Sequence, residues 1–264
     1  MSDERELFKG TAWYYAKYRL GYPQSFFDHL VTSFNLDKAS RVLDLGTGTG
    51  QIAIPMAALV KEVVAVDPEK EMLEEGKNQS EQKQVTNITW LQSKAEDISS
   101  ELGIFKATTI GAAFHWMEQD KVLEKVYELT ESGGGVAIVA NVSTVINNKG
   151  GDAWKDVAWN TIREFLGEER RAGNSTYQAP KDRFEIILAR SKFSRCQTFN
   201  DTYQVPRSVE DIIGYLGSTS FASYRLFGDR LEEFKKTLTE RLLKLEPSGR
   251  FMETAVVEAY LGWK

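Results

Sequence analysis

Two carboxylates and a run of glycines carry the first chemistry in this sequence. In RVLDLGTGTG, at 41–50, an apolar stretch holds Asp44 and runs directly into Gly46, Gly48 and Gly50. Glycine tolerates positive φ and has no Cβ, so a ligand can approach its backbone closely. Asp67 ends a second apolar stretch, VVAVD, 67 − 46 = 21 residues beyond the first glycine. A carboxylate there can accept hydrogen bonds from both hydroxyls of a ribose. The plainer alternative for Asp67 is a helix N-cap before Pro68. Asp44 interrupts an apolar strand end, where an unpaired carboxylate is costly to bury. It therefore needs a cationic or hydrogen-bonding partner, and the amino group of a ligand would serve. The dinucleotide fingerprint places its third glycine three residues after the second, but that position is Gln51. This spacing argues against NAD and a nicotinamide-dependent oxidoreductase.

The elements that must position these groups follow from the pattern around them. From Arg41 to Ala140 short apolar runs alternate with amphipathic stretches, the pattern of strand-helix-strand units. Strands are predicted at 41–45, 62–66, 88–91, 106–111 and 135–140, with helices at 49–59, 69–79 and 120–130. Short Val/Ile/Leu-rich strands joined through helices must be mostly parallel, which puts ligands at their carboxyl ends. After Asn141 a polar stretch, NNKGGD, precedes a predicted helix at 153–166 that reads as an inserted cap. A helix after Pro180, an extended segment at 195–205, a helix after Ser208, a Leu/Phe stripe at helical spacing from Leu231 to Leu245 and a final strand at 251–261 complete the chain. That stripe is ordinary core packing.

The chain has 264 residues, 42% hydrophobic and 27% charged, with a net charge of −5. These values fit one large domain, or one with an insertion, and exclude disordered and fibrous classes. The single Cys196 allows no intrachain disulfide, and His29 and His115 alone provide no metal-ligand cluster, so no metal is expected. With no basic stripe, nucleic acid is a poor partner. The polar, acidic start MSDERELFKG and the lack of a long apolar run predict a soluble cytoplasmic protein with no membrane association. Oligomeric state is left open.

These segments resemble a known family, the class I S-adenosylmethionine-dependent methyltransferases, and within it the type 11 group similar to trans-aconitate methyltransferase. The resemblance rests on VLDLGTGTG, VVAVDPEKEML, SKAEDI, AFHWM, YAKYRLGYP and IIGYLGSTSFAS. It implies an α/β fold, a doubly wound, mostly parallel seven-stranded sheet (Rossmann-like) with a helical cap insertion. Residues 1–35 would form N-terminal lid helices, 36–143 and 191–264 the core, and 144–190 the acceptor-binding cap. The implied cofactor is S-adenosylmethionine, leaving as S-adenosylhomocysteine. Gly46, Gly48 and Gly50 would wrap its methionine portion, Asp67 would hold the ribose, and Ala95 and Glu96 would meet the adenine. Thr47, Pro68, Met72 and Ala113 join the implied cofactor site through the same motifs, beside Asp44. Tyr14, Tyr18 and Arg19 would lie on a helix that closes over the cofactor, with Arg19 suited to a carboxylate. The alternative for the two tyrosines is simple packing.

Methyl transfer from a sulfonium is an in-line displacement that asks mainly for alignment and exclusion of water. His115, past the fourth strand, is the candidate base or acceptor-orienting group; the alternative is that His115 and Trp116 are pocket wall. Trp154, Tyr215, Ser218 and Arg225 are candidates to contact the acceptor, Arg225 favouring an anionic one if it faces inward. Phe105-Lys106 stands where relatives carry an acid after the aromatic, which disfavours an acidic catalytic residue there. The Asn/Asp-Pro-Pro-Tyr motif of base N-methyltransferases is also lacking. The expected function is methylation of a small molecule on oxygen or nitrogen, the alternative being a non-catalytic cofactor-binding regulator.

Overall fold

The computed structural model describes residues 8–141, 144–148, 150–172, 175–176 and 182–264. In chain order the elements are α1 (Ala12–Tyr18), α2 (Gln24–Phe34), β1 (Arg41–Leu45), α3 (Ala53–Ala57), β2 (Glu62–Asp67), α4 (Lys70–Gln82), β3 (Ile88–Gln92), β4 (Phe105–Gly111), α5 (Gln119–Leu129) and β5 (Thr130–Asn141). They continue as α6 (Ala153–Leu166), β6 (Arg171–Ala172), β7 (Ser175–Thr176), α7 (Phe184–Arg190), β8 (Ser194–Ser208), α8 (Val209–Gly217), α9 (Leu231–Leu245) and β9 (Arg250–Trp263).

The expected doubly wound sheet is present, with seven strands in the order β3-β2-β1-β4-β5-β9-β8. Strands β1 to β5 pair in parallel, and β9 runs antiparallel to β5. The order reverses between β1 and β4, so the carboxyl ends of those two strands form the crevice where such sheets take ligands. The register sets Asp44 of β1 opposite Thr109 of β4, which points both side chains to the same face. The core between sheet and helices includes Leu43, Leu45, Ile110, Phe114, Val122, Val126 and Ile138, all fully buried. This continuity of apolar residues is what a sheet covered on both faces requires.

The predicted helix at 49–59 is shorter, reduced to α3 at Ala53–Ala57. Gly50, at φ +84°, holds the preceding residues in turns instead. Pro55 is the third residue of α3, where the N–H it lacks would have had no intrahelical partner. Its presence is therefore compatible with the helix.

Two compact units emerge, and their limits differ from those expected at 35/36 and 190/191. The sheet unit comprises 21–141, 179–201 and 257–264; the second unit comprises 1–20, 142–178 and 202–256. Helix α2, expected in a lid, belongs to the sheet unit because Phe26, Leu30 and Phe34 are buried there. A Cβ on Gly135 of β5 would lie 2.5 Å from the Phe34 ring, a measure of how closely α2 sits on the strand. Helix α7, expected in the cap, also packs in the sheet unit through Ile187 and Leu188. The second unit has its own core on α6, α8 and α9, built from Trp154, Ala158, Ile162, Leu216, Phe234, Leu238 and Leu242. No helix among the described residues is long and apolar enough to cross a membrane.

Candidate active site

In the sheet unit the loop after β1 is drawn back against the end of β2. The Thr47 amide donates to the Val66 carbonyl at 3.0 Å, and the Gly50 amide to the Thr47 carbonyl at 2.9 Å. Gly46 lies at φ +65°, and a Cβ there would stand 2.3 Å from the Ala113 Cβ. Only glycine permits this close approach between the loops after β1 and β4, and it brings the predicted residues Gly46 and Ala113 together.

Asp67 is buried and straddles the loop. Its Oδ2 accepts from the Gly48 amide at 2.8 Å and its Oδ1 from the Glu69 amide at 2.9 Å. The bond to Glu69 is a local turn ahead of α4, whose N-cap is Glu69 and not Asp67, so the N-cap alternative does not hold. The bond to Gly48 goes further, tying the carboxylate to the glycine loop. Each oxygen keeps acceptor capacity for a ligand hydroxyl.

Asp44 is 2% exposed. Thr47 Oγ1 donates to its Oδ2 and Thr109 Oγ1 to its Oδ1, both at 2.6 Å. Burial pushes Asp44 up to about 6, against the opposing pull of the Thr109 and Thr47 hydroxyls; the neighbouring charge of Asp67 adds to the rise. Burial likewise pushes Asp67 up to about 6, against the Glu69 and Gly48 amides. Among the described residues the pair is met by hydroxyls and backbone N–H groups, and no Lys, Arg or His side chain pairs with either carboxylate. Such a pair suits a ligand that brings ribose hydroxyls to one carboxylate and positive charge to the other.

The remaining predicted cofactor residues of this unit differ in setting. Ala95 and Met72 are buried at 5% and 3%, and Pro68 is exposed. Glu96 Oε1 accepts from the Glu118 amide at 2.7 Å, which fixes the segment after β3 against the segment before α5. His115 and Trp116 are half-buried on a single 3-10 turn, Phe114–Trp116, with ring centroids 4.7 Å apart. Lys106, the departure that disfavours an acidic catalytic residue at this position, pairs with Glu131 at 2.9 Å.

Three further residues shape this site. Thr109 stands in the apolar run of β4, where threonine is an ordinary strand residue, and it donates its hydroxyl to Asp44. Trp90 of β3 underlies the loop, since a Cβ on Gly50 would be 2.8 Å from its ring and one on Gly76 2.6 Å. Ala112, a non-glycine at φ +51°, holds a costly turn after β4 while its amide donates to the Val139 carbonyl at 2.8 Å. Neither Trp90 nor Ala112 carries a sequence signal for these roles.

The other predicted residues lie in the second unit. Arg19 Nε donates to Ser218 Oγ at 2.9 Å, and its guanidinium lies 5.2 Å from the centre of the buried Tyr215 ring. Tyr18 donates to Glu210 at 2.9 Å and stacks with Tyr14 at 6.3 Å. Trp154, expected at an acceptor surface, is 2% exposed and is a core residue, because α6 turns that face inward. Arg225 is exposed and borders a cleft with Tyr14.

Residues 42–134 match a family model described as a methyltransferase domain. An uncharacterized methyltransferase of Mycobacterium bovis is 26% identical over 202 residues, 75% of this chain and 72% of the relative. Another, from Schizosaccharomyces pombe, is 28% identical over 129 residues, 48% of this chain and 49% of the relative, so the chain spans about half of that relative's length. Among solved structures, YcgJ from Bacillus subtilis superposes with a TM-score of 0.57 at 17% identity, covering 92% of this chain and 99% of that one. That likeness bears on the fold, which is the Rossmann-like fold of class I methyltransferases. The domain match and the named relatives support a methyltransferase, while the likeness to YcgJ bears on the fold alone.

Proposed function

We propose that the protein methylates the oxygen or nitrogen of a small molecule, and that within its class it stands near trans-aconitate methyltransferase. The observation that carries the cofactor assignment is the pair of buried carboxylates, Asp44 and Asp67, served among the described residues only by neutral donors at the switch point of the sheet. S-adenosylmethionine would supply a methyl group on a sulfonium, a good leaving group, and its ribose and ammonium match what the two carboxylates lack. Asp67 accepts from the ribose hydroxyls, and Asp44 takes the ammonium. Gly46, Thr47, Gly48 and Gly50 present backbone to the methionine portion. Ala113 and the Phe114–Trp116 turn border the same strand ends and keep water from them. His115 orients the acceptor or takes its proton where the acceptor carries one.

The test is transfer of labelled methyl into a deproteinised small-molecule extract of the source cells, run beside protein and RNA fractions. Label in the small-molecule fraction is the expected result, and label confined to protein or RNA overturns the acceptor class. Release of that label by mild base identifies an ester. His115→Ala separates its two roles: a large fall in kcat with acceptor KM retained marks the base, and an equal loss of binding marks the wall.

A further inference from the structure

We propose that Tyr22 belongs to the transfer site, its phenol oxygen set against the sulfonium end of the cofactor; this rests on S-adenosylmethionine being the ligand of the Asp44 and Asp67 crevice. Tyr22 lies in the YAKYRLGYP segment and in the sheet unit. Its hydroxyl stands over the end of β4: a Cβ on Gly111 would lie 2.9 Å from the Tyr22 oxygen and 2.6 Å from Cδ1 of Ile52. Only a residue without a Cβ lets both side chains close on this strand end. Ile52 follows the glycine loop in sequence, so the phenol oxygen sits where that loop meets the end of β4, at the switch point of the sheet. The ring is held from α2, where the fully buried Phe26 lies 5.1 Å from it between centroids.

Face and depth decide which part of the cofactor this oxygen meets. Thr109 and Gly111 are two residues apart on β4 and present the same face of the sheet, the face on which the Thr109 hydroxyl bonds Asp44. Two residues of strand advance about 6.6 Å, so the level of Gly111 is that much nearer the mouth of the crevice. An ammonium held at Asp44 leads the methionine chain outward along this face, and the next charged group on that chain is the sulfonium. A sulfonium has no N–H or O–H to donate; an oxygen lone pair directed at its polarised C–H groups is what favours it. A phenol oxygen has acceptor capacity of its own, whatever its proton is bonded to. Being neutral, it also costs less to hold beside two buried acids than a third carboxylate would.

The test compares S-adenosylmethionine with S-adenosylhomocysteine, which lacks only the transferable methyl and the charge on sulfur, by calorimetry on the intact protein and on Tyr22→Phe. Phenylalanine keeps the ring against Phe26 and removes the oxygen. The variant should bind S-adenosylmethionine about three- to fivefold more weakly, the size of a C–H···O contact. Its affinity for S-adenosylhomocysteine and its urea midpoint should stay those of the intact protein. An equal loss for both ligands would make Tyr22 a packing residue, and an unmoved affinity for both would take it away from the sulfonium; either result overturns the assignment. Asp67→Ala in parallel tests the reading beneath it, and should weaken both ligands alike because both carry the ribose. An intact protein that binds neither ligand overturns the cofactor reading and the Tyr22 assignment together, whereas binding of both with an unchanged ratio in Tyr22→Phe overturns the Tyr22 assignment alone.

Discussion

At the residue scale, Asp44 shows how a neutral group controls a charged one. The Thr109 hydroxyl stabilises the ionised form of Asp44 inside a covered strand, and Thr47 does the same from the glycine loop. Thr109→Val keeps the shape of the strand and deletes that donor. A hydrogen bond to a charged group contributes roughly 1.5–3 kcal/mol, so S-adenosylmethionine should bind about tenfold more weakly. The loss should be larger at pH 6 than at pH 8, because the variant's carboxylate ionises at higher pH; an equal loss at both would mean that Thr109 acts only through packing. Asp67→Ala should cost more, since it removes acceptors for both ribose hydroxyls and the anchor of the Gly48 amide; unchanged affinity by calorimetry would remove the ribose assignment. The two aspartates were legible in the sequence because each interrupts or ends an apolar run where a carboxylate is out of place. Thr109 was not, because threonine suits a strand whether or not its hydroxyl has work to do.

Strands and helices hold these residues through close packing between loops, and that is where substitutions of small residues should be felt most. Gly46→Ala combines a positive φ with a Cβ placed 2.3 Å from Ala113, so the loops after β1 and β4 must part. Overpacking of this kind costs typically about 1–3 kcal/mol, readable as a lower urea midpoint, and cofactor affinity should fall with it. In the second unit, Lys155 on α6 is fully buried and pairs with Asp152 at 3.0 Å and Glu253 of β9 at 3.5 Å. Arg207 of β8 adds a bond to Glu253 at 2.8 Å. Lys155→Ala leaves Asp152 without a cation and a void beneath Trp154, and loss of one partner from a buried pair costs about 3–5 kcal/mol. A shift of under 1 kcal/mol in denaturant unfolding would show that water or rearrangement compensates. Helix α6 and strands β1 to β4 could be read from periodicity and composition, since burial dictates both. The division into units could not, because it depends on which apolar faces of α2 and α7 meet which strands, and a helical stripe names no partner.

For the whole molecule, the two acids at the sheet's switch point couple folding, proton uptake and ligand binding. A carboxylate titrates near 3.9 in an unfolded chain, whereas Asp44 and Asp67 titrate at about 6 in the folded one. Between those values the folded state holds more protons than the unfolded state, so this contribution to stability falls as pH rises from about 4 to about 6. It is fully present below the lower value and lost above the higher one, opposite to the usual paired carboxylate. A cationic ligand reverses the preference, because it favours the ionised acids and must displace their protons. S-adenosylmethionine affinity should therefore rise from pH 5 to pH 7 and level off above that, with net proton release on binding near pH 6. Calorimetry in buffers of different ionisation enthalpy measures the release directly, and the thermal shift produced by a fixed excess of cofactor should grow over the same interval. Asp44→Asn should flatten the profile by removing one of the titrating groups. Affinity independent of pH, with no proton released, would mean that the ligand leaves the carboxylates protonated, and the ammonium would then have to be held by other groups.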